Sequence, residues 1–166
     1  MGGRLPSHFR NWNWIAVGLQ QPLLALAIEG EEGYDPRVFR LGVEIARDYL
    51  TYGISPAGTS TEAVGYTQFG LVWANPFFVA AQRRGENLLG HGHHRAMIDW
   101  YLRSGLPSRD AWLSGGDGGD SGPAVWTMAM WRYFFPQDPR VAALWRSVRK
   151  AGGEKLLDGS FHLVEA

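Results

Sequence analysis

The sequence predicts an all-α fold built of paired helical hairpins. Three observations carry this expectation. Apolar residues recur at helical spacing in almost every segment between turns. Gly and Pro, 22 and 9 of the 166 residues, cluster between those segments and punctuate them. Asp35-Pro36-Arg37-Val38 recurs as Asp138-Pro139-Arg140-Val141, each time opening a helix after an apolar helix and a turn. Such a recurrence fits repeated hairpins, with an apolar inner helix and an amphipathic outer one.

The first helix spans Asn11 to Ile28, apolar on most sides, with Asn11 either its N-cap or a cleft residue and Gly30 as its terminator. Pro22 should kink or split it, because proline lacks the amide hydrogen and crowds the preceding turn. Asp35 caps the next helix, with Pro36 at its first position and Val38, Leu41, Ile45 and Tyr49 at helical spacing before a stop at Gly53. Ser55 to Gly58 reads as a loop. Thr59 and Glu62 have capping-box spacing and should start a helix through Tyr66, Phe69, Trp73 and Phe77 to about Gln82, bent at Pro76. Leu88 to Arg103 forms the next helix, with Met97, Ile98, Tyr101 and Leu102 as its apolar face and Gly105 and Pro107 as its end. The Gly-rich stretch Ser114 to Gly122 is a loop, and a helix follows from Pro123 to Phe135. The last helix opens at Asp138-Pro139 and carries Val141, Leu144, Trp145 and Val148. The expected organisation is a tail over 1–9, a helical domain over 10–150 and a second tail over 151–166.

Composition narrows the function classes. With 16 Lys+Arg against 16 Asp+Glu, the formal charge is zero, which argues against a general nucleic-acid or polybasic membrane binder. No apolar run approaches the roughly 20 residues of a membrane span. The absence of Cys excludes disulfides, thiolate metal sites and a Cys nucleophile. The 8 Trp are unusual for this length and have two readings: flat rings that stack on sugars, or large side chains filling the space between close helices.

Three constellations could carry chemistry. Asn11-Trp12-Asn13-Trp14 sets two amides and two indoles at the start of an apolar helix, facing either a polar cleft or the core. In Thr59 to Tyr66, Glu62 and Tyr66 are four apart and would share a helix face, and Gly65 leaves room beside Tyr66. The alternative is that Glu62 completes the cap and Tyr66 packs inside. His91, His93 and His94, with Asp117 and Asp120 later, supply metal-ligand types. Adjacent His93 and His94 diverge by about 100° on a helix, so no metal is expected, and no cofactor motif is present.

Together these segments resemble the helical domain of the heparinase II/III-like polysaccharide lyases, including alginate and oligo-alginate lyases. The resemblance rests on three pieces in order: the NWNW segment, Ser55 to Tyr66 (SPAGTSTEAVGY), and the GGDGGDS loop. The second is similar to the family's D-G-S-x-x-E-G-x-G-Y stretch, with Ala57 where the family often has Asp and Ala63 where it often has Gly. The resemblance implies part of an incomplete (α/α) toroid and β-elimination at a uronic acid of an acidic polysaccharide. It implies Tyr66 as catalytic acid or base and Asn13, less so Asn11, as the amide that neutralises the substrate carboxylate. Asn11, Trp12, Trp14, Glu62, Gln68 and Trp73 would bind substrate. A family His comes from later in the chain. Two alternatives stand beside this reading: a carbohydrate-binding helical domain without chemistry, and a hydrolase of unsaturated glucuronides, which needs a carboxylate opposite Glu62 from Asp99, Asp117 or Asp120. The family is usually periplasmic or secreted, whereas the first residues, Met1 to His8, show no apolar signal core. Five or six helices amount to about half of the family's toroid. The expectation is therefore an excerpt whose exposed apolar helix faces drive self-association.

Overall fold

Pro22 decides how the chain enters the fold. In the computed structural model, which describes residues 12–106, 111 and 125–150, the first apolar run is split into α1 (Trp12–Gly18) and α2 (Gln20–Ala27). The break falls at Gly18 and Leu19 because the proline offers no N–H to the Gly18 carbonyl, four residues back, and its ring crowds that turn. The bonds Leu19 N to Ile15 O and Leu23 N to Leu19 O carry the chain across the break. The expected terminator Gly30 adopts a positive φ of 92°.

The remaining elements are α3 (Pro36–Asp48), a π-helical turn (Tyr49–Gly53), α4 (Val64–Arg83), α5 (Gly92–Ser104), α6 (Val125–Phe134) and α7 (Pro139–Lys150). The described residues are thus all-α, as the sequence predicts. Beyond the helices there is an isolated antiparallel bridge between Ile54 and Ser60.

The helices form two rows. α1 and α2 pack on α4, and α4 packs on α6, giving an inner row of largely apolar helices. α3 pairs with α2 and α7 with α6. α5 lies against α7 and against the π-helical turn that prolongs α3, completing the outer row. Between the rows lies the core, whose largest fully buried side chains are Trp131, Tyr49, Tyr101, Phe77 and Phe78. The rows meet most closely at Gly42 of α3. A methyl group there would lie 2.5 Å from Pro22 Cβ and 2.7 Å from Phe77 Cζ, so only glycine lets α2, α3 and α4 close.

α2 and α4 run parallel, and their register is fixed by three contacts. Gln20 Nε2 donates to the Trp73 carbonyl at 2.8 Å. Pro22 and Phe77 close on the same glycine. Glu29 pairs with Arg84. The contacts advance in one direction along both helices, with a separation of 53 to 55 residues.

Three sequence expectations need correction. The Thr59–Glu62 capping box does not form: α4 begins at Val64, its N-cap is Ala63, and no side chain caps it. Thr59 is instead tied to Ser55, whose Oγ lies 2.6 Å from Thr59 Oγ1 and accepts from the amides of Ala57 and Thr59. That closes a tight loop, pressed on α5 at Gly58, where a Cβ would meet the Ala96 carbonyl at 2.2 Å. Leu41 is 54% exposed, since the approach at Gly42 turns the buried face of α3 to Gly42, Val43, Ile45 and Ala46. α5 starts at Gly92 rather than Leu88, because the Asn87 side chain accepts from Gly90 N and makes a turn there. As expected, Met97, Ile98 and Tyr101 face the core, and Leu102 packs against it half-buried. α4 runs through Pro76 as one helix from Val64 to Arg83. The Gly-rich loop, the Pro123 start of α6, the side chain of Val148 and both tails lie outside the described residues.

Candidate functional site

α4 presents two faces. Val64, Thr67, Leu71, Ala74, Phe78 and Ala81 are buried between the rows. Tyr66, Phe69 and Trp73 lie on the other side at i, i+3 and i+7 and are 39%, 48% and 48% exposed. Phe69 and Trp73 meet edge to face, with ring centroids 6.2 Å apart. Val72 of α4, and Val17 and Leu24 of the neighbouring α1 and α2, are also exposed. α4 therefore carries an aromatic stripe on the side away from its buried face. The alternative reading of Tyr66 as a core residue is excluded by its exposure.

Gln20, at the start of α2, sits at the level of Trp73. Asn13 lies beyond the break at Gly18 and Leu19, on α1, which also packs against α4. The side chains of Trp12 and Asn13, and all of Asn11, lie outside the described residues. Trp14 is half-buried and packs against the core.

Glu62 is not on α4. It precedes the helix, half-buried, with its amide donating to Ser60 Oγ at 3.2 Å. The sharing of one helix face by Glu62 and Tyr66 is thus a correction, with the same cause as the missing capping box. Ser60 also neighbours the phenol of Tyr49 on the π-helical turn, and burial, with the Glu62 charge adding to it, pushes that phenol well above its ordinary value. Gln68 is half-buried on α4, and its Nε2 is enclosed without a hydrogen-bond partner.

The sequence reading missed Asn75. This residue is buried on α4, one heptad beyond Gln68, and donates from Nδ2 to Thr127 Oγ1 of α6 at 3.1 Å. Its Oδ1 is enclosed without a partner. The available signal was an amide inside an otherwise apolar helix, masked by the more conspicuous aromatic residues around it.

His93 and His94 have structural duties. His94 is buried in the core; its Nδ1 donates to the Leu89 carbonyl at 3.1 Å, and its Nε2 accepts from Trp131 Nε1 at 3.4 Å. Both ring nitrogens are used by the neutral form, and burial lowers its pKa to about 4. His93 Nδ1 lies 3.0 Å from the Leu50 carbonyl. Among the described residues no group of three or more His, Asp or Glu could hold a metal. Asp99, one of the carboxylates considered opposite Glu62, is held by Arg140 at 2.8 Å on the outer row. Asp117 and Asp120 lie outside the described residues.

A shallow depression of about 640 Å³ lies at the start of α7, lined by Arg95, Phe135, Asp138 and Arg140 among others. Asp138 accepts from both arginines at 2.7 and 2.8 Å, and Asp99, outside the lining, pairs with Arg140 as well. The Arg140 hydrogen bond is the main cause that holds the Asp138 carboxyl down at about 2. Among the described residues no helix is long and apolar enough to cross a membrane. Set against known proteins, the chain matches no family model, no curated protein and no solved structure.

Proposed function

We propose that the chain is part of the helical domain of a polysaccharide lyase, an incomplete (α/α) toroid that cleaves uronic-acid-containing polysaccharide by β-elimination. The observation that supports the reading is the face of α4 that bears Tyr66, Phe69 and Trp73, all exposed. In the reaction a base removes the C5 proton, the electron pair forms the C4–C5 double bond, and the C4–O bond breaks. The leaving oxygen takes a proton. Tyr66 supplies that proton, a role for which a phenol is suited as a general acid. The Asn13 amide hydrogen-bonds the substrate carboxylate and stabilises the charge that develops there. Trp73 stacks on a sugar face, while Glu62 and Gln68 bind hydroxyls. Asn11, Trp12 and Trp14 flank the carboxylate. No metal or cofactor takes part, and the proposed setting is periplasmic or secreted.

A second reading, a carbohydrate-binding domain without chemistry, is favoured by the aromatic stripe taken alone. Ultraviolet absorbance of the new conjugated double bond, measured on the full-length parent protein that supplies the later His, separates the two on a panel of uronate polymers. Turnover that is lost in Tyr66→Phe while oligosaccharide binding persists supports the lyase. Binding without turnover, unchanged by Tyr66→Phe, supports the second reading. Neither binding nor turnover on any uronate polymer overturns both.

A further inference from the structure

All three outer helices begin with the same device. In α3, Asp35 accepts from the Arg37 amide at 2.9 Å. In α7, Asp138 accepts from the Arg140 amide at 3.0 Å. In α5 the acceptor is an imidazole: His91 Nδ1 takes the amide hydrogen of His93 at 3.3 Å. The spacing is identical, and so is the role of satisfying an amide in the first turn. A carboxylate keeps this role at any pH above its own low range. An imidazole keeps it only while neutral, because a protonated ring carries a hydrogen on both nitrogens and accepts from neither.

We propose that the start of α5 is an acid-sensitive joint, at which protonation of His91 releases the helix cap and loosens α5 from the π-helical turn. The contact that transmits the change is adjacent. The amide that His91 holds belongs to His93, whose own ring reaches the Leu50 carbonyl in the π-helical turn. The two rings meet edge to face at 5.0 Å.

The surroundings favour the neutral ring. On α5 the nearest charged or titratable groups are His93, His94 and Arg95, followed by Asp99. The π-helical turn contributes Tyr49 and Tyr52. Across the outer row, Asp138 and Arg140 are engaged with Arg95 and Asp99, and ahead of the joint Glu86 is engaged with Arg47. Burial first, and the neighbouring His93 second, hold His91 below the ordinary imidazole range. The positive end of the α5 dipole acts in the same direction.

The test is amide hydrogen exchange at His93, corrected for the intrinsic pH dependence, in the wild type and in His91→Asp. His91→Asp restores the carboxylate cap of the other two outer helices. The wild type is expected to lose protection by about fivefold as the pH falls from about 7 to 5, the loss of one ordinary cap. His91→Asp is expected to hold its protection over that range, and His91→Ala to lack it throughout. An unchanged wild type, or an equal loss in His91→Asp, overturns the proposal.

Discussion

At the scale of single residues, Gly42 and His94 show how tightly the core is specified. Gly42 is the closest approach of three helices, and Pro22 and Phe77 leave no room for a methyl group. Gly42→Ala is therefore expected to destabilise the fold by about 1–3 kcal/mol despite its better helix propensity, as overpacking in a filled core does. Urea unfolding measures this; a neutral or stabilising effect would contradict the packing at that point. His94 makes a pH prediction whose sign follows from its surroundings. Its folded pKa, about 4, lies below the unfolded value of 6.5, so the neutral ring is favoured by folding. The corresponding stability is fully present above pH 6.5 and is lost as the pH falls towards 4, by roughly 3 kcal/mol. Proton NMR of the His94 ring should show no protonation until near that lower value. A midpoint near 6.5 would mean that the ring reaches water.

At the scale of elements, the two Asp-Pro-Arg caps are alike in form and unequal in setting. Asp35 and Arg37 stand exposed and bond only to each other in the ion pair formed there. Asp138, with a side chain 7% exposed, binds Arg140 and also Arg95 from α5, while Arg140 reaches Asp99. Asp138→Ala is expected to cost about 2 kcal/mol, the upper range for a cap, and Asp35→Ala clearly less. Thermal unfolding of the two variants gives the order, and equal losses would contradict the cross-helix network. Both caps were legible in the sequence because a cap is a local event: Asp, Pro and the next amide are neighbours. The split at Pro22 was legible for the same reason. The capping box at Thr59 was misread because Ser55 competes for Thr59 through a loop bond that the T-x-x-E pattern does not contain. The His91 cap was missed because imidazole is an uncommon acceptor in that position. Tyr66 and Trp73 were legible as members of one helix. Which of its faces they occupy was not, because α4 is apolar nearly all round and its orientation depends on where α1, α3 and α6 lie.

At the scale of the whole molecule, the inner helices leave apolar side chains uncovered: Val17, Leu24, Val72 and Trp73 are exposed. Self-association through them is the expected consequence. Light scattering of concentrated protein should report a species larger than the monomer, and Leu24→Lys should shift it towards the monomer. A clean wild-type monomer would count against an apolar face in need of a partner. The same face is the proposed uronate site, and the central claim is tested most directly by calorimetric titration of uronate oligosaccharides into the wild type and Trp73→Ala. The account predicts saturable binding, about tenfold weaker in Trp73→Ala, as expected for loss of a stacked aromatic ring. No binding by the wild type, or binding indifferent to Trp73, would contradict it.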